Sequence, residues 1–276
     1  MILLEKEKYN ILIDPLKKVP INISFAHSVI DKDITGKVYV DNKENPKTFY
    51  IIHPYGLSLL LGNCVNTEFN NTFREYALNT SKERDTHEWM QAYPEDWDIV
   101  LNRLFENNSI KSKDNSSNKE TGIIEINTRV NFKFNLTKYI DLKKKNVKNS
   151  SNIVKADRQI FNEMKGNVIP LNFWDNAEDF YDKGISFGLF YDGKLASTAF
   201  SACIQNGKIE IGIETLPEFQ GKGFAIQTCS RMIDYCLENN YEPVWSCRLE
   251  NTGSYKLAQK LGFEPTIELP FYRLSK

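Results

Sequence analysis

The chain has 276 residues, room for two domains or one large one, and its 41% hydrophobic, 12% aromatic and 26% charged composition excludes wholesale disorder. Thirty-five Lys plus Arg stand against 36 Asp plus Glu, so no global field exists to hold a phosphate backbone, which argues against nucleic acid as the main partner. No apolar run reaches the length of a spanning helix, and the five cysteines (Cys64, Cys203, Cys229, Cys236 and Cys247) lack Cys-x-x-Cys spacing and read as buried thiols in a reducing compartment.

At the N-terminus, Met1-Ile-Leu-Leu-Glu-Lys-Glu-Lys places charges directly after three apolar residues, unlike an export signal, and a cytoplasmic location without membrane attachment is expected. Short β-rich runs at Lys37–Val40, Phe49–Ile52 and Leu57–Leu61, parted by Asn-Pro and Pro-Tyr-Gly turn signals, predict a meander. Apolar periodicity predicts helices over Glu68–Leu78 and Asp96–Phe105. From between them into the start of the second, His87, Glu88, Trp89, Tyr93 and Trp97 form an aromatic and polar cluster, either a pocket wall or core packing. Alternation from Ile124 through Ile126, Thr128, Val130 and Phe132 to Phe134 predicts a strand. The polar stretches Asn107–Thr121 and Lys143–Asn152 read as a surface loop and a linker, with Lys143-Lys144-Lys145 as a solvated connector, so the expected domains are 1–146 and 147–276.

Beyond the linker, helices are predicted near Ala156–Met164 and Ala177–Asp182, followed by strands at Ser186–Tyr191, Leu195–Ile204 and Lys208–Thr215. Asp192-Gly193 and Asn206-Gly207 between these runs are strong hairpin signals, so the three strands form an antiparallel sheet. A helix over Gly221–Glu238 carries Phe224, Ala225, Thr228, Cys229, Met232, Ile233 and Cys236 on one stripe, which must pack on that sheet. Pro243–Cys247 reads as a strand, Asn251–Leu261 as a helix ended by Gly262, and Thr266–Leu274 as a final strand. The fold class is mixed α/β (α+β), with a mostly antiparallel sheet flanked by helices.

The turn Gln220-Gly221-Lys222-Gly223-Phe224-Ala225 leads from a strand into a helix. Such a turn is often only a tight connection; it also aims free backbone N–H groups and the positive end of the helix dipole at one point, where an anion belongs. Gly221 and Gly223 let a phosphate approach the main chain and Lys222 adds charge nearby, but the glycine spacing fits neither a P-loop nor a dinucleotide fold. The ordered set of three antiparallel strands, turn, long helix, strand and shorter helix resembles the GNAT N-acetyltransferases. The cofactor motif of that family, Gln/Arg-x-x-Gly-x-Gly/Ala, is met by Gln220, Gly223 and Ala225, and Asn251-Thr-Gly-Ser254-Tyr-Lys-Leu257-Ala258 through Phe263 is similar to its second signature. Gly36-Lys-Val-Tyr-Val40, Asn45-Pro46-Lys47 and Trp245 onward look like a bacterial two-part GNAT subfamily that includes an aminopolyol-antibiotic resistance acetyltransferase, which implies a degenerate GNAT-like N-terminal half.

The resemblance implies acetyl-CoA as co-substrate. Amides of Gly221, Lys222, Gly223, Phe224 and Ala225 would hold its pyrophosphate, main-chain groups near Glu214, Thr215 and Leu216 its pantetheine arm, and Asn251 and Ser254 its other side; Asn251 also fits a helix N-cap. Transfer to an amine needs a proton acceptor. Glu210 and Glu214 share one face of Ile209-Glu210-Ile211-Gly212-Ile213-Glu214, either lining the acceptor cleft or standing as polar edge residues. The tyrosine that the family usually places seven residues after the asparagine is Ala258 here, and Tyr255 receives no firm role. His27, His53 and His87 have no clustered partners, so no metal is expected. The expected acceptor is the primary amine of a small polar metabolite or antibiotic; protein N-acetylation and a non-catalytic CoA-binding module are alternatives, and a homodimer is compatible with the sequence.

Overall fold

A computed structural model describes residues 1–112, 122–146 and 152–276. Most of the Asn107–Thr121 loop and the centre of the proposed linker, with the expected boundary after residue 146, lie outside the described residues. The chain divides into two compact units that interleave in sequence: Met1–Val130 with Cys247–Thr252 and Ile267–Lys276, and Asn131–Ser246 with Gly253–Thr266. The sequence expects one contiguous cut.

In chain order the elements are β1 (Ile2–Leu3), α1 (Ile13–Lys17), α2 (Ser24–Ile30), β2 (Lys37–Val40), β3 (Thr48–Ile52), β4 (Leu57–Gly62), α3 (Thr67–Ala77), β5 (Glu88–Tyr93), α4 (Asp96–Leu104), β6 (Ser109–Lys111) and β7 (Ile124–Phe134). Then follow α5 (Leu136–Asn146), β8 (Ile153–Lys155), α6 (Arg158–Glu163), α7 (Ala177–Lys183), β9 (Ser186–Tyr191), β10 (Lys194–Gln205), β11 (Lys208–Thr215), α8 (Phe224–Glu238), β12 (Glu242–Val244), β13 (Ser246–Arg248), α9 (Thr252–Lys260) and β14 (Phe263–Leu274). Mixed α/β architecture with a preponderance of antiparallel pairs is what the sequence predicts.

In the first unit β2, β3 and β4 form the predicted meander, with Val38 opposite Ile51 and Tyr50 opposite Leu60. Its sheet continues in the order β1-β2-β3-β4-β5-β14-β7-β13. β5 pairs parallel to β4, with α3 as the crossover. Asn66 caps α3 through its side chain, accepting from the Phe69 amide at 3.1 Å. Phe69, Phe73 and Ala77 on α3 and Trp97, Leu101 and Phe105 around α4 close one core against Tyr50, Leu60 and Met90. Trp97 is fully buried, and its indole donates to the Gly62 carbonyl at 3.1 Å, so this member of the aromatic cluster is core.

In the second unit the strand order is β12-β11-β10-β9-β8. Both hairpins turn through paired left-handed residues, Asp192 (φ 49°) with Gly193 (φ 73°) and Asn206 (φ 51°) with Gly207 (φ 74°), a conformation that matches strand twist and suits Asn, Asp and Gly. α8 buries Thr228, Cys229, Met232, Ile233 and Cys236 of the predicted stripe, while Phe224 and Ala225 are only half-buried.

Lys143 to Lys145 are helical rather than a connector; Lys144 and Lys145 are solvated, as expected, and Lys143 is half-buried. They form the last turn of α5, whose Tyr139 is buried. Lys143 Nζ contacts both carboxylate oxygens of Asp234 on α8, at 2.6 and 2.5 Å, and the Tyr139 hydroxyl donates to Asp234 at 2.8 Å. Lys143 reads as solvated from sequence because its partner, Asp234, lies far away along the chain. No helix among the described residues is long and apolar enough to cross a membrane.

Candidate active site

The second unit builds its site where β11 loses a neighbour. β12 runs parallel to β11 for only three residues, Lys208, Ile209 and Glu210 against Glu242, Pro243 and Val244. Beyond Glu210, β11 remains paired with β10 up to Thr215 opposite Ser197, but among the described residues it has no strand on its other side. Alternation then decides which main-chain groups face that open edge. The Leu216 amide donates to the Ala196 carbonyl, toward β10. The groups of Ile213 and Thr215 therefore point the other way. This moves the available edge from Leu216, the residue expected from the sequence, to Ile213.

The edge leads into the glycine turn. Gly221 (φ +77°) and Gly223 (φ +80°) occupy the left-handed region, and an added Cβ at either would meet nothing within 4 Å, so open space faces the main chain there. Gly223 caps α8 without a side-chain acceptor, and no acidic residue stands in the first turn. The amides that open α8 are thus left for an external acceptor. The Gln220 side chain donates to the Thr215 carbonyl at 3.2 Å, tying the turn back to the strand. Lys222 Nζ lies 5.0 Å from the Tyr191 ring centroid and 5.2 Å from that of Phe219, so its ammonium is seated on two aromatic faces beside the turn. Sequence reasoning missed this pair of rings.

Glu210 and Glu214 are on one face of β11, as alternation requires, but their surroundings differ. Glu214 Oε2 accepts the amides of Asn167 and Val168, both at 2.9 Å, and its side chain crosses Gly166, where a Cβ would lie 2.5 Å from Glu214 Cγ. The cavity beside it, bounded by Lys165, Ile169, Leu195 and Leu216, is about 10 Å³, water-sized. Glu214 is therefore tied through Oε2 to the 166–168 loop, which it anchors. The Phe200 ring covers Gly212 between the two glutamates. Glu210 is half-buried at the point where β11 and β12 part, and Ser246 Oγ donates to its Oε1 at 3.4 Å.

The remaining expected residues are placed as follows. Ser254 Oγ accepts from the Trp245 indole at 3.2 Å, a bond to a buried side chain. Asn251, exposed and immediately before α9, donates its amide to the Arg248 carbonyl at 3.1 Å. Ala258 is fully buried, and Tyr255 stands edge-on to Phe132 at 5.4 Å. Burial alone pushes the Cys229 thiol up and the Cys236 thiol up to about 12, so neither is a nucleophile at neutral pH. Among the described residues no three His, Cys, Asp or Glu side chains converge as a metal cage.

Mixed α/β units with mostly antiparallel sheets flanked by helices are the architecture of an acetyltransferase fold, and the chain belongs to the GNAT acetyltransferase family, whose profile matches residues 17–272. It is an acetyl-transferring enzyme, an N-acetyltransferase of GNAT type. Among its relatives is YdfB of Bacillus subtilis strain 168, an uncharacterized N-acetyltransferase, 26% identical over 251 residues that cover 90% of this chain and 89% of that one. The fold is shared with a GCN5-related N-acetyltransferase-like protein from Streptococcus suis 89/1591 (TM-score 0.70, 17% identity, 96% and 98% of the two chains). It is shared also with a tandem GNAT protein from the clavulanic acid biosynthesis pathway (TM-score 0.58, 9% identity, 99% and 97%).

Proposed function

We propose that this enzyme moves the acetyl group of acetyl-CoA to the primary amine of a small polar metabolite or antibiotic. The observation that carries the reading is the continuity of the open β11 edge at Ile213 and Thr215 with the open glycine turn and uncapped start of α8. When bound, acetyl-CoA supplies an acyl carbonyl already activated as a thioester. The amides of Gly221 to Ala225 would hold the pyrophosphate, and the main-chain groups of Ile213 and Thr215 would align the pantetheine arm as an added strand.

The acceptor amine, cationic in water, must lose a proton before it can attack. Glu210, where the strands part, is the carboxylate placed to attract the ammonium and take that proton; Ser246 orients it through Oε1. Ala258 cannot protonate a departing thiolate, so that proton is assigned to solvent. The likeness of Asn45-Pro46-Lys47 and of the Trp245 segment to the antibiotic-resistance subfamily favours a polyhydroxylated amine over a protein N-terminus.

The test is thiol release from acetyl-CoA with a panel of aminopolyols, polyamines, aminoglycosides and peptide N-termini. Release with a small amine, and a loss of about 10²–10⁴ in kcat/KM in Glu210→Gln, is expected. No release with any small amine, or release with peptides alone, overturns the proposal.

A further inference from the structure

The first unit holds a cavity of about 660 Å³ that the acetyl-transfer chemistry does not use, within the range of small-molecule sites. Its floor is apolar: Phe49 and Leu61 are buried in the sheet beneath it, Tyr93 and Pro94 close one side, and Ile11, 39% exposed, closes another. Its rim is basic. Lys8, Lys18, Lys43 and Lys47 face Glu44 as the one acidic side chain in the lining. Lys8 has a carboxylate partner, Glu5, at 3.7 Å, and Lys18 lies in the field of Asp14, whereas among the described residues Lys43 and Lys47 have no ion-pair partner.

The loop that carries two of these lysines is set before any ligand arrives. Asp41 Oδ1 accepts the amides of Lys47 at 2.9 Å and Thr48 at 3.1 Å, and Asn42 Oδ1 accepts those of Glu44 at 2.8 Å and Asn45 at 3.0 Å. The Lys47 carbonyl is taken by the Asn63 amide at 2.9 Å. Rigid backbone here places flexible ammonium heads around an apolar hollow, and lysine stems can lie along that hollow while the heads stay wet. Cationic rim and apolar floor together complement a molecule with an anionic head and an apolar body.

We propose that this cavity binds a small anionic amphiphile, its carboxylate or phosphate head held by Lys18, Lys43 and Lys47 and its apolar body laid on Phe49, Leu61 and Tyr93. The site is independent of the acetyl-CoA reading, since every lining residue belongs to the first unit.

The probe is 8-anilinonaphthalene-1-sulfonate, titrated into the whole protein with acetyl-CoA in excess so that the glycine turn is filled. One saturable site is expected, with affinity that falls as salt rises and about tenfold weaker binding in Lys43→Ala/Lys47→Ala, as for removal of two partly screened charges. Glu44→Ala, on the same loop, should bind as tightly or more so, and the neutral N-phenyl-1-naphthylamine should not respond to the lysine changes. Displacement by decanoate rather than octyl phosphate would assign a carboxylate head, and the reverse a phosphate. Unchanged affinity in the lysine variant, equal weakening by Glu44→Ala, or failure of both competitors overturns the proposal.

Discussion

At the scale of single residues, the glycine turn and Glu214 make opposite demands. Gly223 combines φ +80° with empty space before its Cα, so a side chain there costs backbone strain of about 1–2 kcal/mol and stands where an anion would approach. Gly223→Val should raise KM for acetyl-CoA at least about tenfold while Tm falls by only a few degrees, measured by steady-state kinetics and thermal unfolding. Glu214→Ala should do the reverse in kind: loss of two amide bonds to a carboxylate should lower stability by about 1–2 kcal/mol, whereas Glu210→Gln leaves Tm unchanged and lowers kcat/KM by about 10²–10⁴. The turn was legible because glycine, lysine and helix start are adjacent in the chain. The task of Glu214 was not, because its donors at Asn167 and Val168 lie in a segment with no periodicity to place it. Likewise the shift of the open edge from Leu216 to Ile213 depends on a bond to Ala196, a register detail that alternation of side chains alone does not supply.

At the scale of elements, sequence pattern located what is locally encoded. Asp-Gly and Asn-Gly pairs marked both hairpins, and the period of α8 marked its buried face. It passed over β5, whose residues Glu88 to Tyr93 join the sheet by parallel pairing to β4 and read locally as an aromatic cluster. It also passed over α5, which is held by Asp234 from a helix some ninety residues away. That clamp predicts a cost: Asp234→Ala should destabilise the protein by about 2 kcal/mol in urea unfolding, since it takes the acceptor from a charged and a phenolic donor at once. The buried thiols of α8 set an alkaline limit. Cys236 holds its proton up to about 12 in the folded state but releases it near 9 when unfolded, and burial raises Cys229 in the same direction. Folding stability from these thiols is complete below pH about 9 and is lost as pH rises toward 12. Urea midpoints should therefore decline from pH 8.5 to 10, and Cys229→Ala/Cys236→Ala should flatten that slope. A slope unaltered by the double substitution would assign the loss to the tyrosines, Tyr139 among them, whose hydroxyls are raised by burial and by Asp234.

At the scale of the whole molecule, the two units interleave along the chain, and strands β7 and β14 each contain a unit boundary within their length. A domain boundary written as a single cut after residue 146 would strip the second unit of residues it needs. The Phe132 amide donates to the Trp245 carbonyl at 3.1 Å and the Asn135 amide to the Gly262 carbonyl at 3.0 Å, while the Phe134 ring packs on Phe263 at 5.1 Å and on Tyr139 at 5.6 Å. A fragment of residues 147–276 loses all four, leaves Trp245 and Phe263 exposed, and still carries Cys247–Thr252 and Ile267–Lys276, whose partners are in the first unit. It should show no cooperative thermal transition and should bind hydrophobic dye. A fragment of 131–276 restores the missing strand and helix, so it should regain helical signal by circular dichroism and part of its cooperativity, though less than the full chain, because its two first-unit segments remain unpartnered. If 147–276 instead unfolds cooperatively at the temperature of the intact protein, the packing of Phe134 and Tyr139 contributes nothing to the second unit, and the segment before residue 147 is dispensable to it.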